Sequence, residues 1–251
     1  MPNILTPLIK SVIRSVRSSA TNAGGMVTWE FSQMLPPVSS LIQGNKASAG
    51  GICEFLSAKW IECHAMDDHL ANWLSSGNAG TIDASKIRLL MQLFVVGAEM
   101  PAGKMVEFDF FSKVDQTVAT MFYLGSKGII ARAAINPIVR SSENNYILGG
   151  SRGGGMRRVM ARNLATQIVS NRNSSGSYRA IGIWGPGGAH AMAAWVGQDV
   201  AFFDPNFGEF WFESQAGFVN WFPTFWQKSH YSNPRFGLSD RYELVDYSRA
   251  A

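Results

Sequence analysis

The feature that most constrains the fold is a change of hydrophobic rhythm near residue 178. Before it, apolar residues recur at three- and four-residue spacing; after it, short apolar runs alternate with glycine and proline turns. The spacing predicts an amphipathic helix through Leu5, Leu8, Ile9, Val12, Ile13 and Val16, followed by a small-residue linker from Ser18 to Gly25. Gly50-Gly51 opens a helix carrying Cys53, Leu56, Trp60, Ile61 and later Leu70, which Gly77 closes, and Asp83 caps another that ends near Gly97. Further helices are expected at about 109–124 and 156–169, then strands at 178–184, 189–196, 199–204, 208–213 and 241–247. Helices first and antiparallel strands afterwards imply an α+β fold. We expect one main domain over residues 46–251. Residues 1–45 read as an N-terminal extension, either a targeting or pro-segment or a helix packed on the domain.

Composition narrows the classes. Hydrophobic residues make up 46% and charged residues 16%, enough apolar surface for a sizeable core. Two cysteines cannot staple a small secreted fold, and Cys53 and Cys63 share one predicted helix, so no disulfide and a reducing environment are expected. A net charge of +4, spread over local clusters, does not call for nucleic acid. Lys10, Arg14 and Arg17 break the first apolar stretch, and Arg88 and Gln92 the second, short of the roughly 18 residues a spanning helix needs. No transmembrane segment or secretory signal peptide is expected, which leaves peripheral membrane contact through the N-terminal helix.

The chemistry-bearing residues converge on a thiol. Cys53 stands at the predicted start of a helix, where the dipole and free backbone N–H groups favour a thiolate. A thiolate nucleophile needs a histidine, and that histidine needs a third group to fix its ring. Of the four histidines, His64 and His69 lie too far along the helix of Cys53, and His230 has no carboxylate nearby in sequence. His190 begins a strand after the turn Gly185-Pro186-Gly187-Gly188. A three-residue turn Val196-Gly197-Gln198 would set His190 directly opposite Asp204 on one sheet face. An oxyanion donor is sought among Gln43, Asn45 and Ser48, with Asn45 preferred, beside the Cys53 backbone N–H.

Other clusters carry less. A metal at Cys63, His64, Asp67 and Asp68 would want more Cys or His from elsewhere, and His190 is already assigned, so neither metal nor cofactor is expected. Gly153-Gly154-Gly155 with Arg152, Arg157, Arg158 and Arg162 lacks the lysine and hydroxyl of a phosphate loop. The aromatic run from Phe202 to Trp226 reads as core.

Three blocks then resemble a known family. Gly51-Ile52-Cys53-Glu54-Phe55-Leu56-Ser57-Ala58-Lys59-Trp60-Ile61, Gly188-Ala189-His190-Ala191-Met192-Ala193 and Phe203-Asp204-Pro205-Asn206-Phe207-Gly208-Glu209-Phe210 are similar, in this order, to the YopT/AvrPphB family of bacterial effector cysteine peptidases. The resemblance implies a papain-like fold, with a helical half carrying Cys53 against an antiparallel sheet carrying His190 and Asp204. It implies Cys53 as nucleophile, His190 as general base and acid, and Asp204 as orienter. It also implies type III secretion into a host cell, to the cytoplasm or inner membrane face, and a host protein substrate, small GTPases and kinases both being substrates among relatives; a monomer is expected. Two rival readings share these residues: deamidation or acyl transfer by the same triad, and a non-catalytic binding module.

Overall fold

A computed structural model describes residues 5–46, 48, 51–77, 80–99, 116–135, 160–170, 176–235 and 237–250. Fifteen elements follow along the described chain: α1 (Leu5–Asn22), β1 (Met26–Trp29), α2 (Val38–Gln43), α3 (Cys53–Ala65), α4 (Leu70–Leu74), α5 (Ala84–Glu99), α6 (Gln116–Gly125), β2 (Ile129–Ile135), α7 (Ala161–Val169), β3 (Ser177–Gly185), β4 (Gly188–Val196), β5 (Val200–Asp204), β6 (Gly208–Phe212), α8 (Gln215–Lys228) and β7 (Arg241–Arg249). The strands make one antiparallel sheet in the order β1-β6-β5-β4-β3-β7-β2.

Helices cover both faces of this sheet. Odd-numbered Ala193, Ala201 and Phe203 enter one core with Val38 and Ile42 of α2, α3 from Phe55 to Cys63, and α5 and α6. Even-numbered Met192, Ala194, Val200 and Phe202 enter the other with α1, α7 and α8. That is the two-residue alternation of a strand, with both faces apolar because both are buried. Phe202, Phe210, Phe218, Trp221, Phe222 and Phe225 are all almost fully buried, so the aromatic run is core.

Residues 5–46 enter this same packing. Ile13, Val16 and Ala20 of α1 join the core under α8, Trp221 Nε1 donates to Ser19 Oγ at 3.0 Å, and β1 pairs with β6. The stretch Ser18–Gly25, expected as linker, is helical as far as Asn22, because Ser19 and Ala20 face the core. The single helix expected from Cys53 past Leu70 is two. Asp67 takes φ 56, which ends α3, and His69 caps α4 by accepting the Ala71 amide. Residues 109–115 and 156–159 of the expected helices, and Gly153 with Arg152, Arg157 and Arg158, lie outside the described residues. Among the described residues no helix is long and apolar enough to cross a membrane.

Candidate active site

Cys53 is the first residue of α3 and is half-buried, next to an N-cap, Ile52, that makes no side-chain cap bond. His190 is the third residue of β4 and Asp204 the last of β5; they are 6% and 0% exposed. The two share a sheet face, but not by the expected pairing. Val196 pairs with Val200 and Ala193 with Phe203, so the turn is Gly197-Gln198-Asp199 and the register is two residues out. Gly197 N–H bonds the Asp199 carbonyl at 3.0 Å, and Trp211 Nε1 holds the Asp199 carboxylate at 2.7 Å, which draws Asp199 into the turn. A slip of two preserves the face where a slip of one would reverse it. The diagonal pair still meets: His190 Nε2 lies 2.9 Å from Asp204 Oδ1.

Cys53 is the other side chain that acts on this ring. With Nε2 taken by Asp204, Nδ1 is the nitrogen left for the thiol. Burial opposes a charge on His190, but the Asp204 carboxylate and Cys53 outweigh it and push the imidazole up to about 10. Asp204 accepts two further bonds, from Tyr231 O–H at 3.0 Å and from the Asn206 backbone N–H at 2.7 Å. Burial first, and the neighbouring carboxylate second, hold Tyr231 well above its ordinary range, so it stays an O–H donor.

The oxyanion candidates separate. Asn45 and Gln43 are exposed around the end of α2, and Ser48, fully buried, turns its hydroxyl toward the Ile42 and Asn45 carbonyls at 3.4 Å each. Gln33 meets the residue just before the nucleophile. Its Oε1 accepts the Ile52 N–H at 3.2 Å and its Nε2 donates to Asn206 Oδ1 at 2.9 Å. The metal-type cluster is spoken for: Cys63 is buried with its thiol pushed up to about 12 by burial, and His64 Nδ1 meets Tyr178 O–H at 3.0 Å.

The arrangement is a half-buried thiol at a helix start, an imidazole whose second nitrogen is fixed by a carboxylate, and a buried frame around that carboxylate. Residues 17–249 match the peptidase C58 family, described as Yersinia/Haemophilus virulence surface antigen. The chain belongs to the C58 family of cysteine peptidases. The cysteine protease YopT of Yersinia enterocolitica is 28% identical to this C58 peptidase over 244 residues, 96% of this chain and 70% of the relative. The protein adenylyltransferase and cysteine protease IbpA of Histophilus somni is 29% identical over 252 residues, 96% of this chain and 6% of that much longer protein. Among solved structures, the Pseudomonas avirulence protein AvrPphB matches with a TM-score of 0.50 and 16% identity, covering 81% of this chain and 95% of that one. The C58 peptidase thus has the α+β, papain-like fold expected from its sequence.

The Asp204 carboxylate and Cys53 set where the His190 imidazole titrates. A raised histidine stays protonated above its ordinary 6.5 and loses its proton only as pH passes about 10. The alkaline limb of kcat/KM is therefore expected near pH 10. Asp204→Asn removes the largest favourable charge and should bring that limb down toward neutrality; an unmoved limb would contradict the assignment.

Proposed function

We propose that this peptidase hydrolyses peptide bonds in a host protein through an acyl-enzyme on Cys53, after delivery by a bacterium. The observation that carries this reading is the His190 ring held between the Asp204 carboxylate and the Cys53 thiol. Cys53 as thiolate attacks the scissile carbonyl carbon, and the C=O electron pair moves onto oxygen, next to the Cys53 backbone N–H at the open start of α3. When the C–N bond breaks, the imidazolium of His190 gives its proton to the leaving amine and a thioester remains. His190, now neutral, takes a proton from water as it attacks the thioester, and the acid product leaves with the thiolate and imidazolium restored. Asp204 keeps the ring oriented throughout.

Delivery into a host cell is supported by the three-block resemblance and by membership of a family described as a virulence antigen, and a substrate of the small-GTPase or kinase class by the resemblance alone. Proteolysis is separated from its rivals by intact-mass and N-terminal analysis of host-lysate proteins treated with wild-type or Cys53→Ala protein. New termini that appear only with the wild type are expected. A gain of about one mass unit without cleavage would mean deamidation instead, and termini produced equally by Cys53→Ala would overturn the reading.

A further inference from the structure

The active site is divided between two parts of the fold, and one side chain bridges them. Cys53 opens a helix in one core, whereas His190 lies near the start of β4 and Asp204 at the end of β5. Just before Cys53, Gly51 takes φ 117 with its N–H on the Ser48 carbonyl at 2.9 Å, and the Ile52 N-cap makes no side-chain cap bond. Gln33, 8% exposed, supplies a side-chain partner from a distance. Its carboxamide accepts the Ile52 N–H and donates to Asn206, and its backbone N–H bonds the Pro205 carbonyl at 2.7 Å.

From Asn206 the path continues to the carboxylate. Asn206 Nδ2 donates to Tyr231 oxygen at 3.1 Å, and Tyr231 O–H donates to Asp204. The polarity of this chain is fixed from both ends. A carboxylate only accepts, so Tyr231 must donate to it; the Tyr231 oxygen then accepts from Asn206 NH₂, leaving Asn206 oxygen to accept from Gln33 NH₂. Gln33 oxygen is thus left facing the Ile52 backbone N–H, which can only donate. Both amides have one self-consistent orientation, and with the pairing of His190 to Asp204 and Cys53 the path closes into a ring.

The geometry points to Gln33 as a positioning residue of the reaction: it locks the start of the nucleophile's helix to the turn that follows the histidine's carboxylate partner. This inference rests on the roles given above to Cys53, His190 and Asp204. Gln33→Met keeps the volume and removes both amide bonds, and Asn206→Ala breaks the same connection from its other side.

The test measures kcat, KM, the alkaline limb of the pH profile, and the rate of Cys53 alkylation by iodoacetamide in wild type, both single variants and the double variant. Misplacing the thiol relative to the ring should lower kcat by roughly 10–100-fold with KM nearly unchanged. Cys53 alkylation should slow in step, and the alkaline limb should move down. The double variant should be no worse than the worse single, since both break one connection. Unchanged kcat, a rise confined to KM, or additive losses would each overturn the inference. Lower kcat with unchanged alkylation and pH profile would overturn it too, because Gln33 would then act on substrate rather than on the thiol and ring. Should Gln33→Met fail to unfold cooperatively, Asn206→Ala carries the same expectation. Failure of the site reading looks different: Cys53→Ala would stay active whatever Gln33 does.

Discussion

Turnover by His190→Ala protein is expected to be lower than wild type by roughly 10⁴-fold or more, with the fold retained. The size of the effect follows from the ring having two successive tasks, protonating the leaving amine and deprotonating water, and from there being no substitute for it. His64 is engaged with Tyr178, and burial pulls its pKa down. His69 spends Nδ1 on the Ala71 amide and Nε2 on Glu209. His230 lies in the turn after α8, at φ 63. Folding survives because Asp204, although fully buried, keeps the Tyr231 hydroxyl and the Asn206 N–H as donors. Steady-state cleavage rates beside a thermal unfolding scan decide the matter; activity within tenfold of wild type in a folded His190→Ala protein would remove the histidine from the mechanism.

The largest expected effect on stability is at Glu209 on β6. This buried carboxylate accepts Thr28 Oγ1 of β1 at 2.7 Å, Trp60 Nε1 of α3 at 2.6 Å and His69 Nε2 at the start of α4 at 3.2 Å. One side chain thus fastens an edge strand and two helices to the sheet. Because His69 Nδ1 accepts from Ala71, its proton sits on Nε2 and points at Glu209. Glu209→Gln presents an NH₂ group to partners that are themselves donors. It is expected to cost about 2–4 kcal/mol and to lower Tm by roughly 5–15 °C.

The same pair gives stability a pH dependence with a defined sign. Burial pushes Glu209 up, but the bonds from His69, Trp60 and Thr28 outweigh it and bring its pKa below the ordinary 4.5. Its contribution is therefore present above that value and lost as pH falls through the lower, folded one. The bond to Glu209 raises His69 above its ordinary 6.5 despite burial, so that contribution is full below 6.5 and lost as pH rises through the folded value. Wild type minus Glu209→Gln should show its largest Tm difference between those limits, and a difference flat from pH 3 to 9 would contradict the pairing.

How far the sequence discloses this site depends on the range over which each signal acts. Cys53 and His190 were legible because a helix start and a glycine-rich turn are local signals, and Asp204 because sheet alternation survives a slip of two residues. The turn itself is not legible locally, since the side chain that draws Asp199 into it, Trp211, belongs to the next strand. Gln33 left no trace. Its partners Ile52 and Asn206 lie 19 and 173 residues away, and the Ser32-Gln33-Met34-Leu35-Pro36-Pro37 stretch around it has no periodicity. The α3 helix was placed by its glycines rather than by an apolar stripe, because it is buried on nearly every side from Phe55 to Ile61. Strand β1, four residues at the sheet's edge, is too short to announce itself.

The most direct test of the central claim compares the two thiols of one molecule. Cys63 is buried, and its thiol is pushed up to about 12, whereas Cys53 is half-buried beside His190. Iodoacetamide at pH 7, followed by peptide mass mapping, should modify Cys53 at least ~100-fold faster than Cys63, and His190→Ala should remove most of that advantage. Equal, slow labelling of both cysteines in folded wild-type protein would contradict the account.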